Sequence, residues 1–166
     1  MTARTRYLLA ASVAVLLLAA TVAVPISSAA EEVTRDEYVA QLEKICKPGS
    51  EATERAVRGV RSDIRHERLS VAGSKFAKAK RIFAGTVGSI SGVPRPQPDR
   101  ATLKRWFTAL GKEQVYLGQM VKTLKADDVA GFQRVSARFI HEGNKANNAV
   151  VSFGFDYCSF KPTRFQ

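Results

Sequence analysis

The chain has 166 residues, 26 lysines and arginines against 15 aspartates and glutamates, and a formal net charge of +11. That balance points to solubility and to attraction to polyanions, with a merely solvated basic surface as the alternative, and does not specify a fold. Two cysteines and two histidines leave little material for a metal cluster.

The first thirty residues read as a secretory signal peptide. Arg4 and Arg6 precede an apolar run from Tyr7 to Val24, Pro25 breaks it, and Ser28 and Ala30 take the small-residue positions before a cut. Domain organisation is therefore a signal peptide at 1–30 and a single helical domain at 31–166. The alternative is a membrane-tethered protein that keeps residues 7–24 as an anchor, because 18 apolar residues reach the lower edge of a bilayer span, roughly 17–25. Either way the folded part is secreted or held at the cell envelope.

Beyond Ala30, Thr34-Arg35-Asp36-Glu37 has the form of a capping box and opens a helix with Tyr38, Leu42 and Ile45 on one face. Pro48-Gly49 is expected to kink or end it, since an internal proline removes a hydrogen bond and crowds the preceding turn. The helix resumes with Thr53, Val57, Val60 and Ile64 inward. A second run places Ala72, Phe76, Ala79, Phe83, Val87 and Ile90 on one stripe. The segment Gly92–Pro98, with three prolines, is a stiff extended connector. Asp99 is placed to cap a third run, whose face includes Leu103, Trp106, Leu110, Leu117 and Leu124. After a turn at Ala126-Asp127, the stretch Asp127–Cys158 is the longest uninterrupted amphipathic run, with Val129, Phe132, Val135, Phe139, Ala146, Val150 and Phe153 inward. The tail from Ser159 to Gln166 is expected to fold back over Tyr38 and Leu42.

These runs predict an all-α fold, an up-down-up-down four-helix bundle with the first helix kinked near Pro48. Glycines inside the runs imply either close helix approaches or a weak bundle that needs a staple. In an exported chain the two cysteines provide it: Cys46 and Cys158 are expected to form one disulfide between neighbouring first and last helices. Closing so long a loop is worth roughly 4–5 kcal/mol in the chain-entropy picture.

No catalytic residues can be nominated. Both His66 and His141 point away from the apolar faces of their helices. Asp63-Ile64-Arg65-His66 imitates half of a di-iron motif, but its second copy is missing, and Lys145 stands where a zinc-protease histidine would follow His141-Glu142. No metal and no cofactor is expected. The most patterned polar feature is a basic flank on the first helix: Arg55, Arg58, Arg61, Arg65 and Arg68. It suits an acidic envelope polymer, an anionic membrane surface or a partner protein, while Glu51 and Glu54 can neutralise part of it. Without interleaved aromatic residues it gives no specific nucleic-acid signal.

Ile45-Cys46, Trp106, and Ala146-Asn147-Asn148-Ala149 leading to Phe153-Gly154 and Cys158 resemble the layout of small secreted helical proteins of unknown function from high-GC Gram-positive bacteria. The resemblance implies a disulfide-bonded extracytoplasmic bundle and brings no catalytic residues. The reading is a non-enzymatic binding or structural module with a basic surface. The alternative from another class is an enzyme with an unrecognised active-site cleft.

Overall fold

The computed structural model describes residues 32–159 and 161. The chain divides into Met1–Ala30 and Glu31–Gln166, and the second unit is described below. The expected signal peptide or anchor, and the tail at Phe160 and residues 162–166, lie outside the described residues.

The domain is helical, with α1 Arg35–Val57, α2 Val60–Arg65, α3 Leu69–Ser91, α4 Arg100–Lys125 and α5 Val129–Ala149, and with no strand among the described residues. The capping box opens α1: the Glu37 amide donates to Thr34 Oγ1 at 3.2 Å and the Thr34 amide to Glu37 Oε2 at 2.9 Å. The Thr34 amide, together with the Thr34 hydroxyl donating to Glu37 Oε2 at 2.8 Å, holds the Glu37 carboxyl below the usual carboxylate range. Pro48 does not end this helix. It lies inside α1, and the break falls at Arg58-Gly59 instead, where Gly59 adopts φ +76. Glycine enters that left-handed region without the Cβ clash that other residues meet. Beside Pro48, Gly49 marks the close approach of α1 to α3: a Cβ there would lie 2.2 Å from Thr86 Oγ1.

Neighbouring long helices pack in chain order: α1 lies along α3, α3 along α4, and α4 along α5. The first and last helices do not pair in the same way. Contact between α1 and the chain end runs through the 3₁₀ turn Val151–Phe153 that follows α5. The expected helix through Cys158 therefore stops at Ala149, and α4, not the last run, is the longest helix.

Beyond the 3₁₀ turn the chain is held in three ways. Cys158 and Cys46 form the disulfide, with Cα atoms 5.1 Å apart. The Glu43 carboxylate accepts from the amides of Asp156 at 2.9 Å, Tyr157 at 3.0 Å and Cys158 at 3.3 Å. Phe153 and Phe155 stack on one another, Phe155 stacks on Trp106, and Phe153 meets Tyr38 edge-on. Tyr38, Leu42, Ile90, Leu103 and Trp106 form the centre of this main core. Within the aromatic run, Phe153 lies against Tyr38.

Asp99 does not cap α4 with its side chain. Its carboxylate instead accepts two bonds from Arg35, at 2.9 Å and 2.6 Å, tying the start of α1 to the start of α4. This pairing holds Asp99 below the usual carboxylate range. The preceding connector is not extended throughout: Gln97–Asp99 turns as a 3₁₀ helix. At the other end of the bundle, Asp127 takes a left-handed turn conformation and Asp128 caps α5 through the Gly131 amide at 2.7 Å. A smaller core there joins Leu69, Ala72 and Leu124 to half-buried Ile64, Phe76 and Phe132.

Candidate functional site

Between the two cores the apolar stripes do not close on one another. Ala79, Leu110 and Leu117 are buried, but Phe83, Val87, Val135 and Phe139 on facing stripes are only half-buried, and Ile140 is exposed. The consequence is a cavity of about 610 Å³, within the range of roughly 300–1,000 Å³ usual for ligand pockets. It takes side chains from all five helices, including Val57 of α1, Ile64 of α2, Phe76 and Phe83 of α3, Leu117 of α4 and Phe132 of α5. Its wall lies where α1 and α5 fail to pair, and the Cys46–Cys158 bridge lines it as well.

Two of the polar residues in the lining carry a buried oxygen without a hydrogen-bond partner among the described residues. Glu113 is 2% exposed, and its Oε1 has no hydrogen-bond partner among the described residues. Burial first, and the neighbouring Glu142 second, push its carboxyl up to about 8, so the neutral acid is favoured at pH 7. Glu142, also buried, is compensated by Lys145 Nζ at 3.2 Å and Lys112 Nζ at 3.8 Å. The second group is Ser136, whose buried Oγ also has no partner among the described residues. The apolar stripes single out neither group, but helical spacing carries the signal for both. Glu113 occupies the inward position midway between Leu110 and Leu117, and Ser136 lies one turn after Phe132 on the α5 stripe.

The basic flank is not one helical face, because Gly59 divides it. Arg55 and Arg58 belong to the end of α1, Arg61 and Arg65 to α2, and Arg68 to the connection before α3. Their settings differ. Arg55 lies 3.9 Å from Glu51 across one helical turn. Arg58 is exposed, and its carbonyl accepts from Lys75 Nζ at 2.8 Å. Arg68 donates to Asp63 at 2.8 Å and 3.0 Å, and Lys75 donates to the same carboxylate at 2.6 Å. Asp63 is thereby held below the usual carboxylate range, and the cluster joins α2 to α3. Arg61 and Arg65 are exposed, make no ion pair among the described residues, and line the cavity. Of the five arginines, these two are brought to the site.

Both histidines are exposed. His66 lies at the end of α2 with Nδ1 2.8 Å from the Ser62 carbonyl. Neither lines the cavity. Among the described residues, no group of three or more His, Cys, Asp or Glu side chains is placed to hold a metal ion, and no helix is long and apolar enough to cross a membrane. No protein-family model, curated protein or solved structure matches this chain.

Proposed function

We propose that the protein is an exported, non-enzymatic binding module that takes the apolar chain of an anionic amphiphile into its helical domain and holds the headgroup at Arg61 and Arg65. One observation carries this reading: an apolar cavity of about 610 Å³ whose lining includes two exposed arginines without ion-pair partners among the described residues. Apolar surface removed from water supplies most of the affinity, and the guanidinium groups select the headgroup charge and orient it. The source of the ligand is an anionic envelope lipid or the free fatty acid derived from it.

Export is supported by the signal-like residues 1–30, and the disulfide fits an oxidising compartment. We read the long helices as an up-down-up-down bundle opened on its α1–α5 side. Sequential packing and short connections support that topology.

Calorimetric titration of the mature chain with monomeric stearate tests the function. Saturable one-to-one binding is expected. Replacing both arginines, Arg61→Gln and Arg65→Gln, should weaken it by about 5- to 30-fold at low salt, from ~0.5–1 kcal/mol for each exposed charge contact. The contrasting reading, a basic surface for acidic polymers, gives another result: polyphosphate binds and stearate does not. On that reading, replacing Arg58, Arg61 and Arg65 weakens polyphosphate binding more than replacing an equal number of exposed lysines such as Lys44, Lys104 and Lys122, and equal losses would mean that only net charge matters.

A further inference from the structure

We propose that Glu113 and Ser136 form a hydroxyl-reading pair inside the cavity, so that the preferred ligand is an anionic amphiphile whose acyl chain carries a hydroxyl group. This rests on the amphiphile reading above and specifies the ligand further.

The two groups stand on different helices, α4 and α5, and both line the same apolar cavity. Each has a buried oxygen without a partner among the described residues. Elsewhere the buried carboxylates are satisfied: Asp63 by Arg68 and Lys75, Asp99 by Arg35, and Glu142 by Lys145 and Lys112. Glu113 is the exception among these. A buried oxygen with no partner is destabilising, and a ligand that supplies the partner recovers that loss on binding.

The protonation state narrows the ligand chemistry. The charged groups around Glu113 are Glu142 on α5, with the lysines that compensate it, and, elsewhere on the cavity lining, Arg61, Arg65 and Lys161, the last paired with Asp156. No cation pairs with Glu113 among the described residues, and burial keeps its acid neutral near pH 7. A neutral acid offers one O–H donor and one acceptor oxygen, and a serine hydroxyl offers both roles as well. A ligand hydroxyl uses both: it accepts from the Glu113 acid and donates to Ser136 Oγ or Glu113 Oε1. An ester or ketone can only accept. An unsubstituted methylene chain leaves both groups unpartnered, which is the situation in which binding sites discriminate most strongly.

The test titrates the wild-type mature chain with stearate and with a series of monohydroxystearates that differ only in hydroxyl position. At least one isomer is expected to bind on the order of fivefold or more tighter than stearate, the worth of about one net hydrogen bond. Glu113→Leu is expected to abolish the preference for the hydroxylated isomer over stearate. Ser136→Ala is a smaller change and should reduce that preference even if the leucine variant does not fold. Stearate binding with no isomer preferred overturns the hydroxyl inference and leaves the amphiphile reading standing. A preference that survives unchanged in Ser136→Ala and in a folded Glu113→Leu also overturns it. Failure of every ligand to bind overturns both.

Discussion

Replacing Glu113 by glutamine should change how stability depends on pH, in a direction set by its burial. The side chain is 2% exposed, and its carboxyl is pushed up to about 8 in the folded chain from an ordinary value near 4.5. Between those two values the folded protein keeps the proton and the unfolded chain has released it. The unfolded state then binds fewer protons, so stability falls as pH rises through the window. Below the ordinary value both states are protonated and the difference vanishes. At about 1.4 kcal/mol per unit, moving from about pH 5 to about pH 8 removes on the order of 3–4 kcal/mol. Glutamine nearly preserves the shape and does not titrate, so the variant lacks this loss. The depressed carboxyls of Glu37, Asp63 and Asp99 act in the opposite direction, losing their contribution as pH falls below the ordinary range. Above about pH 5 that contribution is nearly constant, and it cancels between the two proteins. Urea unfolding of both at several pH values reads the difference directly. Glu113→Gln should gain on wild type steadily as pH rises. Parallel stability curves would refute the burial of an uncompensated acid.

Three further outcomes follow from other parts of the structure. Cys158→Ser should lower the melting temperature by on the order of 10 °C or more, because the bridge closes 112 residues of chain; an unchanged melting temperature would show that the other anchors of the chain end suffice. Glu43→Gln should loosen the segment 156–158 and speed amide hydrogen exchange there while leaving the α4 core protected, since one carboxylate serves three consecutive amides. Intact mass of protein recovered outside the cytoplasm should correspond to a chain beginning at Glu31, whereas a membrane-retained chain that keeps residues 1–30 would show an anchor.

Helical periodicity made the four long amphipathic runs legible, and the capping box and the cysteine pairing were legible as well. The places where sequence reasoning missed are instructive in physical terms. Pro48 is expected to kink or end α1; it does not end it, and the helix runs on to the left-handed Gly59, which determines the break. Asp99 precedes a helix as a cap would, yet Arg35 from far away in sequence takes its carboxylate. Such a tertiary pairing leaves no local signal. Similarly, the arginine flank looks continuous only on a helix without the break, and Asp63 draws Arg68 away from it. The cavity was missed for a different reason. Stripe analysis identifies which side chains face inward but not whether facing stripes meet. Half-buried Phe83 and Phe139 are inward by phase and still border open volume. Glu113 was the available clue, a charged residue at an inward position among Leu110, Leu117 and Met120.

Paramagnetic broadening by a bound amphiphile tests occupancy of the cavity most directly. The protein, labelled for amide detection, is titrated with stearate that carries a nitroxide near its methyl end. Residues along the cavity wall, such as Phe83, Glu113, Leu117 and Phe132, should broaden, and excess unlabelled stearate should restore their signals. Broadening confined to exposed basic positions such as Arg58, Lys104 and Lys122, or no broadening at all, would contradict an internal binding site.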